Sequence, residues 1–274
     1  LNNPFGTQFH PLALFKLLEM ALKGQDLPAD LFLEDEGASY HYYLPRGFYA
    51  SDRETVALRF KAIASEVRIF LESPRAWLLL TFGTAFVYEK EGRWVSNCHQ
   101  QDGRSFQKRL LSSTEIKQAW DDLQPLLPPQ LRIILTLSPV RHQKDGFSLN
   151  SVSKSMLRVF THEIAFGQFR YFPAYEILMD ELRDYRFYAS DRLHPSEEAT
   201  AYIWKQFCRV SLSHEAQAFL KSWSQIQTRL QHRFQRPEAP SARAFRLKLL
   251  QDLESLESVQ VKDEIRILRE SLQN

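Results

Sequence analysis

The chain has only two cysteines, Cys98 and Cys208. That excludes a disulfide framework and leaves both to be read as free thiols of the usual buried kind. Glycine is also scarce, nine in 274 residues. No Gly-x-Gly-x-x-Gly fingerprint and no P-loop occurs, which leaves little room for a nucleotide-cradling loop. Neither sign of charge dominates. Lys and Arg total 35 against 33 Asp and Glu, for a formal charge of +2. The two signs alternate along the chain, which argues against nucleic acid as a partner. The longest apolar run, AWLLLTFGTAFVY (76–88), is too short to cross a bilayer and contains Gly83, so no membrane span is expected. No secretory signal is visible, which favours a cytoplasmic location, although the chain opens on Leu1 rather than Met. HEIAF (162–166) and HEAQA (214–218) begin like a zinc-protease helix but lack its second histidine. No metal and no cofactor are expected.

What the chain does have is apolar mass. It is 44% hydrophobic and 13% aromatic, ample for the core of one large domain or of one domain with an appendage. Pro11 at a first helical turn, the stripe Leu12, Phe15, Leu18 and Leu22, and Gly24 as a stop predict a helix. Val56, Phe60, Ile63, Val67 and Phe70 predict a second over 52–73, ended by Pro74. The continuous apolar runs AWLLLTF (76–82) and LRIILTL (131–137) predict buried parallel strands. Between them lies a helix near 112–126, opened by Ser112 or Ser113 with Glu115 in its first turn. Further helices are predicted over 151–166, with Asn150 as cap, over AYEILMDELRDY after Pro173, and from Pro195 to about Val210; FRYF (169–172) reads as a short strand. Strands alternating with helices give an α/β layered fold with a largely parallel sheet. From Ser213 no strand pattern remains. Phe219, Trp223, Ile226 and Leu230, and later Val261, Ile265, Leu268 and Leu272, predict two long helices interrupted by QRPEAPSA (235–242). This helical hairpin either packs on its own core or serves as an oligomer or partner interface. The division is therefore 1–210 and a tail over 211–274.

The motif with most chemistry is ASDRLHPSEEATAYIW (189–204), where Asp191 and His194 stand three residues apart in a polar turn after the last strand-like run. One loop of that spacing can hold a carboxylate against one imidazole nitrogen and leave the other facing a nucleophile, as in a Ser-His-Asp site. The plainer alternative is that Asp191 or Ser190 caps the following helix and His194 is a surface turn residue. SNCHQ (96–100) places a cysteine beside a histidine, but such close neighbours seldom face each other. SPVRH (138–142) follows the second strand, where α/β sites are built. Arg141 and His142 there can take an anionic or carbonyl group, or Arg141 can simply brace its loop.

Taken together, NPFGTQFHP (3–11), LTFGTAFVYE (80–89), SNCHQ (96–100), LTLSPVRHQKDGF (135–147), KSMLR (154–158) and YFPAYEILMDELRDYRFYASDRLHPSEEATAYIW (171–204) resemble the GSCFA domain family, a branch of the SGNH/GDSL hydrolase-like proteins. The resemblance covers about residues 1–210. It implies a three-layer, flavodoxin-like SGNH-type fold: a parallel sheet with helices on both faces, plus the helical hairpin. It implies Asp191 and His194 as the acid–base pair, and Gly6 and Gly83 as oxyanion donors through their N–H groups. Ala85 stands where the family pattern has an asparagine, so Asn97 would have to replace that donor. Asn97, His99, Arg141 and His142 would line the pocket. The family's serine belongs to a Gly-Ser-Cys-Phe-Ala sequence that follows the first strand, upstream of the NPFGT segment. No such sequence occurs here, and Ser138 and Ser196 are poor substitutes. The first strand and its serine are therefore expected ahead of Leu1. Residues 1–210 alone are not expected to complete a five-strand sheet, and the chain alone is expected to be inactive. The implied activity is a serine-type ester hydrolase or acyltransferase, acting on an acyl ester of a carbohydrate or another polar small molecule. A non-catalytic binding or assembly protein, possible as a homo-oligomer through its tail, is the alternative that Ala85 favours.

Overall fold

The computed structural model describes residues 1–232, 234–236, 238–256 and 261–273. The chain divides into two compact units, Leu1–Ile203 and Trp204–Asn274.

In the first unit, α1 (Pro11–Lys23) opens with His10, whose Nδ1 accepts from the N–H of Ala13 at 3.2 Å, and closes on Gly24 at φ 63°. A hairpin follows, β1 (Phe32–Asp35) and β2 (Ala38–His41), turned by Glu36 and Gly37, both at positive φ. α2 (Arg53–Glu72) starts at Asp52, whose carboxylate accepts from the N–H of Thr55 at 2.7 Å. Next come β3 (Trp77–Phe82), β4 (Phe86–Lys90), β5 (Arg93–Val95) and β6 (Gln107–Leu110). α3 (Ser113–Leu123) carries a full capping box between Ser112 and Glu115. β7 (Arg132–Leu137), α4 (Gly146–Ile164), β8 (Phe169–Phe172), the single turn α5 (Ala174–Glu176) and α6 (Glu197–Ser211) complete the series.

The fold class is α/β. β3, β7 and β8 form a parallel sheet in the order β3-β7-β8, with Leu80 opposite Leu135 and Phe82 opposite Leu137. One face of this sheet makes the main core. Phe82, Phe15 of α1, Trp120 of α3 and Phe160 of α4 meet there at ring separations of 5.4–6.2 Å. Burying such side chains contributes about 1.5–3 kcal/mol each. The parallel sheet has three strands among the described residues, and β3 pairs only with β7. The free side of β3 borders a groove of about 450 Å³ walled by α1, α2 and the segment Leu1–Gly6. Leu79, on β3, is 52% exposed, whereas a strand paired on both sides within such a sheet is normally covered on both faces.

Three expectations are corrected. The helix expected over 151–166 begins at Gly146, so Asn150 lies inside it rather than capping it. The segment after Pro173 is one α turn followed by a π turn, Ile177–Glu181, not a regular helix. Pro195 precedes α6 and bridges to Tyr188. Two antiparallel sheets lie outside the expectation: the β1–β2 pair, and a three-stranded sheet in which β4 pairs with both β5 and β6 and the tight turn, Glu91 and Gly92, is again at positive φ.

α6 runs across the boundary into the second unit, and beyond it the described residues form α7 (His214–Leu230), α8 (Pro240–Glu254) and α9 (Lys262–Gln273), where two helices were expected. Ile226, Leu249, Leu253, Val261 and Leu268 make a small core of their own, flanked by an Arg229–Asp252 ion pair. Pro237, in the expected break, lies outside the described residues.

Candidate active site

The chain enters and leaves the Asp-x-x-His turn as a narrow loop. Ala189 donates to the carbonyl of His194 at 2.8 Å, and Ser196 donates to that of Phe187 at 2.8 Å. Arg192 sits at φ 58° to close the tip. Inside the turn, Asp191 uses both carboxylate oxygens. Oδ1 accepts from the N–H groups of Leu193 at 2.8 Å and His194 at 3.0 Å, and Oδ2 meets Nδ1 of His194 at 2.6 Å. These N–H groups, His194 first, and then the ring hold the Asp191 carboxyl down at about 2. The carboxylate assigns the ring proton to Nδ1. Nε2 of His194 makes no hydrogen bond to the described residues and is left as the basic nitrogen. Neither Asp191 nor Ser190 caps the helix that follows; Ser196 does, through Ala199 N–H at 3.2 Å.

His194 borders a cleft of about 760 Å³. Beside it runs the β7–α4 loop. Arg141 donates its backbone N–H to the carbonyl of Leu193 at 3.3 Å. Its guanidinium lies 4.0 Å from the Tyr188 ring centre and donates to the Tyr188 hydroxyl at 2.6 Å. His142 is held by Asn150, whose Oδ1 accepts its backbone N–H at 3.1 Å. Burial first, and then the charge of Lys154, push the His142 ring below the ordinary histidine range. Both residues line the cleft, as expected of pocket residues.

The β3–β4 loop forms the floor. Gly83 lacks a Cβ because one would stand 3.0 Å from the carbonyl oxygen of Phe9 and 3.7 Å from Nε2 of His142. Its N–H and that of Thr84 both donate to the Phe9 carbonyl, at 2.9 and 3.0 Å. The N–H of Ala85 donates to Oγ of Ser153 at 2.7 Å. Beneath them, the buried Lys154 ammonium donates to the carbonyls of Gly83 and Ser138, each at 2.6 Å.

The remaining expected residues lie elsewhere or are already engaged. Gly83 lies next to the cleft-lining Thr84, but its N–H is taken by the Phe9 carbonyl, so it is not an oxyanion donor in this structure. Gly6 turns the chain at φ 72° and donates its N–H to the carbonyl of Asn3 at 2.7 Å. It lines the groove beside β3 rather than the His194 cleft. Asn97 and His99 do not line the cleft either. Asn97 accepts from the N–H of His99 at 2.8 Å, and His99 is buried between Tyr40 and Tyr42 with Nε2 on the His41 carbonyl at 3.0 Å. Of the eight expected residues, His194, Arg141 and His142 share the cleft lining, with Asp191 bonded behind His194 and Gly83 next to the lining residue Thr84. Sequence reasoning missed Lys154. Its signal was a lysine on the inward stripe of α4 that also carries Asn150, Leu157 and Ile164.

Residues 1–207 match the model of the GSCFA family, and residues 223–274 match the C-terminal domain of GSCFA domain proteins. The chain therefore belongs to the GSCFA family. Searches of curated proteins and of solved structures find no match.

Proposed function

We propose that this GSCFA-family chain carries the acid–base half of an SGNH-type serine ester hydrolase or acyltransferase, acting on an acyl ester of a carbohydrate or another polar small molecule. The observation that carries the reading is the 2.6 Å contact between Asp191 and Nδ1 of His194, with Nε2 unengaged at the edge of the cleft. His194 takes the proton of the attacking serine hydroxyl as that oxygen bonds to the acyl carbon. The ester C–O bond then breaks, and the departing alcohol leaves with the proton from Nε2. Water, or a second alcohol in the transfer reaction, attacks the acyl-serine and gives its own proton to Nε2. The acid or the new ester leaves, and the serine recovers its proton. Asp191 fixes the ring and stabilises the imidazolium that forms twice in this cycle. The attacking serine of this reading is the one in the Gly-Ser-Cys-Phe-Ala sequence of the family pattern.

A second reading, a non-catalytic binding protein on this scaffold, is favoured by the floor of the cleft. The N–H groups of Gly83, Thr84 and Ala85 are all spent on internal acceptors, whereas an oxyanion hole needs them aimed at the substrate. The full-length gene product treated with a fluorophosphonate probe separates the two. Labelling that disappears in His194→Ala supports the hydrolase. Absence of labelling in a folded full-length protein overturns it in favour of the binder.

A further inference from the structure

The whole chain is nearly charge-balanced, 35 cationic residues against 33 acidic ones. The His194 cleft is not. Lys108, Arg141 and Lys144 line it, and its single lining carboxylate, Asp145, is already paired with Lys108. Arg141 and Lys144 have no carboxylate partner among the described residues. Arg141 is held instead by neutral groups: the Tyr188 ring and hydroxyl, with Tyr185 at 5.6 Å on its other contact. The ring contact and the hydroxyl bond hold the guanidinium, and the rest of its N–H fork has no partner among the described residues. The Lys154 ammonium under the floor adds positive charge balanced only by carbonyl oxygens. Beside these cations the wall is apolar, from Phe9, Phe86 and Val140.

We propose that the cleft has an anion subsite, built on Arg141 with Lys144, so that the ester it takes carries an oxyanion group (carboxylate, sulfate or phosphate) on an otherwise apolar or neutral body. A planar fork meets such a group through paired N–H···O bonds, and a cleft of one sign concentrates counter-ions. The backbone bond from Arg141 to Leu193 ties the subsite to the turn that carries His194. An ester anchored there is held near Nε2.

This inference rests on the hydrolase reading for its reaction, but the subsite can be tested by binding alone. The full chain is titrated calorimetrically with benzoate, phenyl sulfate and phenyl phosphate, and with benzyl alcohol as the neutral control. The anions are expected to bind about tenfold or more tighter than benzyl alcohol, in line with charge-assisted hydrogen bonds. The ranking of the three anions identifies the oxyanion preferred. Arg141→Gln is expected to remove the advantage, and Lys144→Gln to reduce it several-fold, with binding weakened by added salt. The Lys144 side chain makes no hydrogen bond or ion pair among the described residues, so its variant keeps the test open should Arg141→Gln disturb the turn. Equal binding of anions and benzyl alcohol, or anion binding unchanged in both variants, overturns the subsite. Acetyl esters of hydroxybenzoate and of its neutral amide, assayed with the full-length gene product, separate the two proposals. Turnover of both at one rate leaves the hydrolase and sinks the subsite. Selective anion binding without turnover leaves the subsite and sinks the hydrolase.

Discussion

Lys154 donates to the carbonyl of Gly83 at 2.6 Å, and the same ammonium reaches the carbonyl of Ser138 at 2.6 Å. One side chain from α4 thus ties the C-terminal ends of the neighbouring strands β3 and β7, where the cleft opens. Replacing it, as in Lys154→Met, leaves two carbonyls without a donor and is expected to cost about 2–4 kcal/mol in urea unfolding. Burial pulls the ammonium down to about 8 from an ordinary 10.5. Between those values the unfolded chain holds the proton more firmly than the folded one, so stability rises as pH increases from about 8 to 10.5. The difference between wild type and Lys154→Met should grow over that window. A flat difference would mean that the folded lysine titrates normally.

The caps and apolar runs of this fold are legible in the sequence because they are local. Pro11 and Gly24 bracket α1, Ser112 with Glu115 opens α3, and Leu78–Phe82 and Ile133–Leu137 stand in strands wherever a hydrophobic run of that length must be covered. The two hairpins were missed because their turns are Glu-Gly, and glutamate is not among the residues that advertise a positive φ. The site divides in the same way. Asp191 and His194 find each other across three residues, which spacing alone can suggest. Whether the N–H of Gly83 faces a substrate or the Phe9 carbonyl depends on a segment more than seventy residues away approaching the loop. Asn97 and His99 followed a motif that folds into a tyrosine-lined core instead. No spacing reports such tertiary choices.

Gly6 should be intolerant of a side chain for a structural reason. Its φ is 72°, and a Cβ there would stand 2.2 Å from Cγ of Pro45. Gly24 shares the left-handed conformation, at φ 63°, but has open space around it. Gly24→Ala is expected to cost about 1–2 kcal/mol, the left-handed penalty alone. Gly6→Ala adds the clash and should cost about 3–5 kcal/mol. Thermal unfolding of the two variants side by side checks the order. Equal losses would show that Pro45 moves aside freely.

Arg109 joins two elements through carboxylates. Its Nε donates to Glu89 on β4 at 2.7 Å and its Nη2 to Glu115 in the α3 cap at 2.7 Å. The Arg109 contact, the largest favourable influence, holds the Glu115 carboxyl down at about 2 against an ordinary 4.5. A depressed carboxyl stabilises the fold above its unfolded value, and that contribution disappears as pH falls from 4.5 through about 2. Both groups are partly solvated, so Arg109→Met should cost only about 1 kcal/mol at neutral pH. The variant should also lose part of the acid-dependent slope below 4.5. An unchanged slope in chemical unfolding across that range would assign the acid sensitivity to other carboxylates.

Asp191→Asn separates the two jobs this carboxylate holds. An asparagine oxygen still accepts from the N–H groups of Leu193 and His194, so the turn should still close, without the carboxylate's added stability. It no longer holds the proton of His194 on Nδ1 or balances an imidazolium. Ester turnover by the full-length gene product should therefore fall about 10²–10⁴-fold in kcat with little change in KM. The wild-type carboxyl, held at about 2 against an ordinary 3.8, adds stability above 3.8 that is lost as pH drops toward 2. The asparagine variant should lack that part of the acid response. If stability falls while turnover stays, Asp191 serves the turn alone, and the 2.6 Å contact to His194 is a by-product of closing it.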